Sequence, residues 1–253
     1  MPKKGKKLKV ALVHDHMMQF GGAERVLHVL HSIFPDAPIY TLFYNRELAD
    51  IYFPSADIRT SFLQKFPKFL HKRFRYLAPL AIPAVENFNL YNYDIVVSSS
   101  AFFAKGIITN PDTIHVCYCH TPTKYLWELK EESVIKDKEK IIRRILEKLT
   151  LHMFRMWDFN AASRVDYFVA NSKNTKKRIE KYYKQDSFVV YPCAGSKLIE
   201  NGQKADIMHK RSVFSELPQN YFLIVSQLQN YKNIDIAVKA FSRMKYPLVI
   251  IGE

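Results

Sequence analysis

"LKVALVHDHMMQFGGAERVLHVLHSIF" (8–34) decides the fold. Residues 8–15, apolar from Val10 to Val13 and closed by His14 and Asp15, read as a buried strand. A Gly21-Gly22 turn then opens a helix on which Val26, Leu27, Val29, Leu30 and Ile33 make a broad apolar face. "APIYTLFY" (37–44) supplies the next strand. Strand, loop, helix and strand in this order begin an open parallel α/β sheet, in which ligands lie beyond the carboxyl ends of the strands.

Further strands are expected at 93–100, 113–120, 165–172 and 187–192, with a long helical stretch at 137–164. Their apolar character implies a sheet covered on both faces. "NSKNTKKRIEKYY" (171–183) reads as a helix with Ser172 as its N-cap. The domain plan is a basic disordered tail at 1–7, a Rossmann-like domain at 8–195, a linker region at 196–219 and an incomplete βαβ unit at 220–253. That unit has a strand near 221–226, a helix near 232–243 and a strand at 247–251.

The 253 residues are 48% hydrophobic and 25% charged with 7 Gly, a folded rather than a disordered composition. A formal charge of +14 favours polyanions, anionic membrane surfaces or phosphorylated small molecules. Dispersal of the lysines and the lack of any reading module argue against specific nucleic-acid binding. No 18-residue apolar run suggests a spanning helix, and no secretion leader is recognisable. Three cysteines suit a reducing compartment. The reading places Cys117 and Cys119 on opposite faces of a strand, as buried small hydrophobes with no shared metal.

Four loops carry candidate chemistry. In "HDHMMQFGGAER" (14–25), Gly21 and Gly22 allow backbone amides at a helix start to approach a phosphate, or serve only as a turn; His14, Asp15, His16 and Glu24 cluster around them. In "HVCYCHTPTKYLW" (115–127), His120 and Thr121 follow an apolar strand. His120 is placed either to exchange a hydrogen bond with a sugar hydroxyl or to cap the strand end. Asn171 stands at a strand-to-helix junction, where it points toward the same crevice. In "SQLQNYKN" (226–233), Lys232 could neutralise a diphosphate or be a surface lysine.

Together, "GGAERV", "CYCHTPTKYLW", "YFVANSKNTKKRIEKYY", "VVYP" and "YFLIVSQLQNYKNIDIAVKAF" resemble a retaining glycosyltransferase of family 4, over essentially residues 8–253. The resemblance implies a GT-B fold, two Rossmann-like domains of which the second is here truncated. It implies that Gly21 and Gly22 approach the donor diphosphate, that Glu24 and Arg25 orient loop and helix, and that His120 contacts the transferred sugar. Asn171, Gln227 and Lys232 would shape the donor side, and Asp15, His16, Glu24 and Thr121 the acceptor side. The donor would be a nucleotide-diphosphate sugar, with no cofactor and no metal.

The implied reaction moves a hexose such as mannose to a lipid-linked or polysaccharide acceptor, with retention of configuration. The family's Ser-Arg-Leu reads Ser226-Gln227-Leu228 here, which removes one cationic grip on the leaving group. Glu253 ends the sequence before the family's E-x7-E motif. The alternative is therefore a catalytically incompetent fragment or a sugar-binding module that needs a complementing C-terminal polypeptide. "RTSFLQKFPKFLHKRFRYLAPL" (59–80) mixes aromatic and basic residues, as for a cytoplasmic protein peripheral on the inner face of the membrane, or as a core-facing helix with a basic outer side.

Overall fold

The computed structural model describes residues 7–67, 69, 71, 77–128, 138–193, 217, 218, 220–226, 228 and 232–252. The chain divides into two compact units, Met1–Gly195 and Ser196–Glu253.

The first unit is a seven-stranded, wholly parallel sheet. Its strands are β1 Val10–His14, β2 Ile39–Thr41, β3 Ile58–Thr60, β4 Ile95–Ser100, β5 Ile114–Cys119, β6 Tyr167–Ala170 and β7 Ser187–Val189. Their spatial order is β3-β2-β1-β4-β5-β6-β7. Strand order reverses between β1 and β4, which pair in register from Val10 opposite Ile95 to His14 opposite Ser99. This is the switch point at which an open α/β sheet leaves a crevice. The connecting helices are α1 Gly22–Ile33, α2 Arg46–Tyr52, α3 Ala78–Glu86, α4 Lys124–Trp127, α5 Lys138–Ser163 and α6 Lys173–Tyr183.

Side chains alternate across the strands and both faces are buried. Ala11 and Val13 enter one cluster with Phe43, Leu63 and Val85, while Leu12 enters another with Leu27, Ile39 and Phe53. The same alternation corrects the reading of the cysteines. Residues two apart on a strand share a face, and Cys117 and Cys119 pack into one cluster with Ala162, Phe168 and Ile179. Both are fully buried and burial pushes their thiols up, Cys117 to about 12. The apolar face expected on α1 is also narrower than the sequence suggests. Leu27 is buried, whereas Ile33 in the last turn is 60% exposed.

The segment 59–80 is not one basic surface helix over its described part. Arg59 and Thr60 end β3, and a 3-10 turn follows at Phe62–Lys65. Leu63 and Leu77 are buried, and His71 stacks on Phe43 at 4.5 Å while its Nε2 lies 2.9 Å from the Leu63 carbonyl. Phe62 and Phe69 are exposed. Among the described residues, no helix is long and apolar enough to cross a membrane. The tail at 1–6 and most of the interval 196–219 lie outside the described residues.

The second unit pairs β8 Phe222–Val225 in parallel with β9 Leu248–Ile251 across α7 Ile234–Met244. Gly252 is required by a close approach: a Cβ there would fall 1.9 Å from the Ser226 carbonyl oxygen.

Candidate active site

The carboxyl ends of β1, β4 and β5 bring the candidate residues together. Polar groups gather at the carboxyl ends of these strands, His14 and Asp15 on the first, Ser98, Ser99 and Ser100 on the second and His120 on the third. Buried polar groups must be hydrogen-bonded, and here His14, Ser99 and His120 bond to one another. His14 Nδ1 lies 3.1 Å from Ser99 Oγ, and Ser99 Oγ lies 2.9 Å from His120 Nε2. On its other side His14 Nε2 faces Glu24 Oε1 at 3.7 Å. One line of groups thus crosses the switch point from helix α1 to the end of β5.

Glu24 is 4% exposed although it lies in the first turn of a helix. Its Oε2 accepts the Gly21 N–H at 2.9 Å, which places the carboxylate under the helix start. Burial opposes its charge, yet the neighbouring His14, with the Gly21 amide, holds its carboxyl below the ordinary glutamate value. Gly21 has no side chain with which to cap α1, and no side-chain cap bond is present. A Cβ on Gly22 would meet nothing within 4 Å. The packing of the described residues therefore does not demand glycine at 22, where the space beside the helix start is open, whereas a Cβ on Gly21 would fall 3.2 Å from Glu24 Oε2.

His120 is half-buried. Burial, then the neighbouring His14, push its imidazolium pKa down to about 4, against a smaller pull from Asp15 and Glu24. It is therefore a neutral ring at neutral pH. Its backbone is pinned to β6 and α6: the carbonyl accepts from Asn171 Nδ2 at 2.8 Å and lies 3.2 Å from Thr175 Oγ1. Tyr118 meets the imidazole edge-on at 5.4 Å.

The other expected residues have specific placements. Asp15 is buried and accepts four backbone N–H groups, from Ala101 and Phe102 on one oxygen and from Phe103 and Ala104 on the other, at 2.7–3.0 Å. Asn171 Oδ1 accepts from Thr175 Oγ1 at 2.6 Å and Ser172 Oγ at 3.1 Å, so its whole amide braces the β5 and β6 ends. Ser172 caps α6 by accepting the Thr175 N–H. His16 stacks on Phe43 at 5.4 Å, with burial lowering its pKa. Thr121 Oγ1 accepts from Arg178 at 3.2 Å. Arg25 is exposed, its guanidinium 6.0 Å from the Phe20 ring centre. Lys232 belongs to the second unit and is exposed; Gln227 lies outside the described residues.

The model of the family described as Glycosyltransferase Family 4 matches residues 20–194. The chain belongs to Glycosyltransferase Family 4. Among curated proteins, this family 4 chain is 25% identical over 165 residues to the alpha-1,3/1,6-mannosyltransferase ALG2 of Candida albicans, covering 62% of the chain and 34% of that protein. It is 27% identical to the ALG2 of Saccharomyces cerevisiae over 128 residues, covering 49% of the chain and 22% of that protein. The chain thus spans about a third or less of the length of the curated relatives it matches. Among solved structures, the wall teichoic acid polymerase TagF aligns with 95% of this chain and 54% of its own, at 10% identity and a TM-score of 0.43.

Ser99 is the site residue that sequence reasoning left out. Its signal was the run Ser98-Ser99-Ser100 ending an otherwise apolar strand, beside the switch point.

Proposed function

We propose that this family 4 chain transfers a hexose, mannose being the best candidate, from a nucleotide-diphosphate sugar to a lipid-linked or polysaccharide acceptor with retention of configuration. The observation that carries the reading is the hydrogen-bonded line from His14 through Ser99 to His120, with Glu24 facing His14 at 3.7 Å, at the strand ends of a sheet whose family transfers sugars. Mannose is supported by the mannosyltransferases among the relatives.

In this reading the uncapped first turn of α1 receives the donor diphosphate, since backbone N–H groups and the helix dipole favour anionic charge. The protein stabilises charge on the leaving diphosphate and on an oxocarbenium-like sugar, without a divalent metal. The neutral His120 hydrogen-bonds a hydroxyl of the transferred sugar and orients it for attack. The excess of positive charge, with Phe62 and Phe69 exposed beside the basic stretch 65–75, suits an acceptor held at an anionic membrane surface.

Turnover of a panel of GDP-, UDP- and ADP-hexoses with lipid-linked acceptors tests the proposal. The expected result is retained-configuration transfer, and a 10²- to 10⁴-fold lower kcat for His120→Ala with its unfolding midpoint little changed. Transfer by His120→Ala at the parent rate would remove His120 from the reaction.

A second reading is a sugar-binding module that needs a complementing C-terminal polypeptide. It is favoured by the second unit, whose helix α7 has no buried residue and whose strand residues Phe222, Leu223 and Val225 are exposed. Binding of a nucleotide sugar without turnover, and turnover on addition of the relatives' C-terminal region, would select it.

A further inference from the structure

Ser99 stands between two imidazoles and has a single proton to give. Its Oγ is 3.1 Å from His14 Nδ1 and 2.9 Å from His120 Nε2. A hydroxyl has one proton to give, so at most one ring receives it and at least one ring must donate to the Ser99 oxygen. The far end of the line breaks the tie. Glu24 Oε1, an acceptor only, faces His14 Nε2 at 3.7 Å, while its partner oxygen is held by the Gly21 N–H. A carboxylate beside one ring nitrogen favours the proton on that nitrogen. His14 then carries N–H at Nε2, its Nδ1 accepts the Ser99 hydroxyl, and the Ser99 oxygen is left to accept N–H from His120 Nε2. A neutral imidazole has one N–H, so His120 Nδ1 is bare.

We propose that Glu24, His14 and Ser99 are positioning residues that hold His120 in its Nε2–H tautomer, so that Nδ1 meets the substrate as a hydrogen-bond acceptor. The inference deepens the reading of His120 as a sugar contact and rests on it for its significance, though not for its test. It resolves what the sequence left open, whether His120 gives or takes a hydrogen bond. The group that it recognises must donate: a free sugar hydroxyl fits, whereas a deoxy, fluoro or O-methyl sugar at that position leaves Nδ1 unpartnered. Such a mismatch between a hydrogen-bonding site and a ligand lacking its partner group can discriminate by several orders of magnitude.

The tautomer is measured directly on the full chain without any donor, by long-range proton–nitrogen correlation of ¹⁵N-histidine protein at pH 7, where His120 is uncharged. The expected spectrum has His120 Nε2 in the N–H range and Nδ1 in the bare-nitrogen range. Ser99→Ala should spread His120 into a mixture that includes Nδ1–H, and Ser99→Thr, which restores a hydroxyl, should return it to the parent pattern. His14→Phe frees Ser99 to donate to His120 and should also raise the Nδ1–H form. A parent protein already in the Nδ1–H form, as a doubly protonated His14 would impose, or a His120 pattern unmoved by Ser99→Ala, overturns the proposal. An inactive chain with the expected spectrum would instead count against the transferase reading alone.

Discussion

Asp15 is buried just beyond the end of β1. The resemblance to family 4 glycosyltransferases places this carboxylate on the acceptor side. In the fold both oxygens are occupied by four amides of residues 101–104, which ties the β1 end to the loop after β4. Asparagine would keep one acceptor and turn an NH2 group toward donors. Asp15→Asn should therefore lower stability by about 2–4 kcal/mol in urea titration, from lost bonds to a charged acceptor and buried amides left unsatisfied. His115, fully buried with Nε2 2.8 Å from Ser98 Oγ, makes a second residue-level prediction. Burial, then the charge of Arg164, push its pKa down to about 3. The unfolded chain, with an ordinary value of 6.5, binds this proton first as pH falls. Stability from this group is thus complete above pH 6.5 and declines by about 1.4 kcal/mol per pH unit toward pH 3. Urea midpoints measured across that range should slope less in His115→Gln than in the parent.

At the scale of elements, one buried aspartate fastens four pieces of chain. Asp158 on α5 accepts from Lys105 Nζ at 2.5 Å and Thr123 Oγ1 at 2.9 Å, and its second oxygen accepts from Trp127 Nε1 and Tyr183 OH. Lys105 lies in the 3-10 turn Ala104–Gly106 after β4, Trp127 ends α4 and Tyr183 ends α6. Lys105 and Asp158 are both nearly inaccessible, so neutralising one leaves the other charged and unpaired. Asp158→Asn should cost about 3–5 kcal/mol in chemical denaturation, and the double replacement Lys105→Met with Asp158→Leu less than that. Nothing in the spacing of 105, 123, 127, 158 and 183 announces the cluster, because the partners meet only after the parallel sheet is assembled. Local signals did better. Ser172 caps α6 as its position before "KNTKKR" implies, because capping is decided within three residues of chain. The cysteines, by contrast, required only the two-residue period of a strand, and there the reading slipped by one face.

For the molecule as a whole, the α/β class and the parallel sheet are legible because buried parallel strands leave continuous apolar runs. Their spatial order is not, since a run such as "DIVVSSS" does not state which neighbour it will have. That order decides the site: only when β4 inserts between β1 and β5 do Ser99, His14 and His120 become adjacent. The Glu24 carboxylate gives this arrangement a thermodynamic consequence, because it touches both the amide at the head of α1 and the ring that leads to His120. In the proposed reading, a diphosphate at that helix start and a hydroxyl at His120 would both bias the same carboxylate. By linkage, whatever factor the first applies to the affinity of the second is returned in equal measure. In the proposed transferase, leaving group and sugar would therefore be recognised as one connected ligand, with an affinity that the two halves bound separately do not add up to.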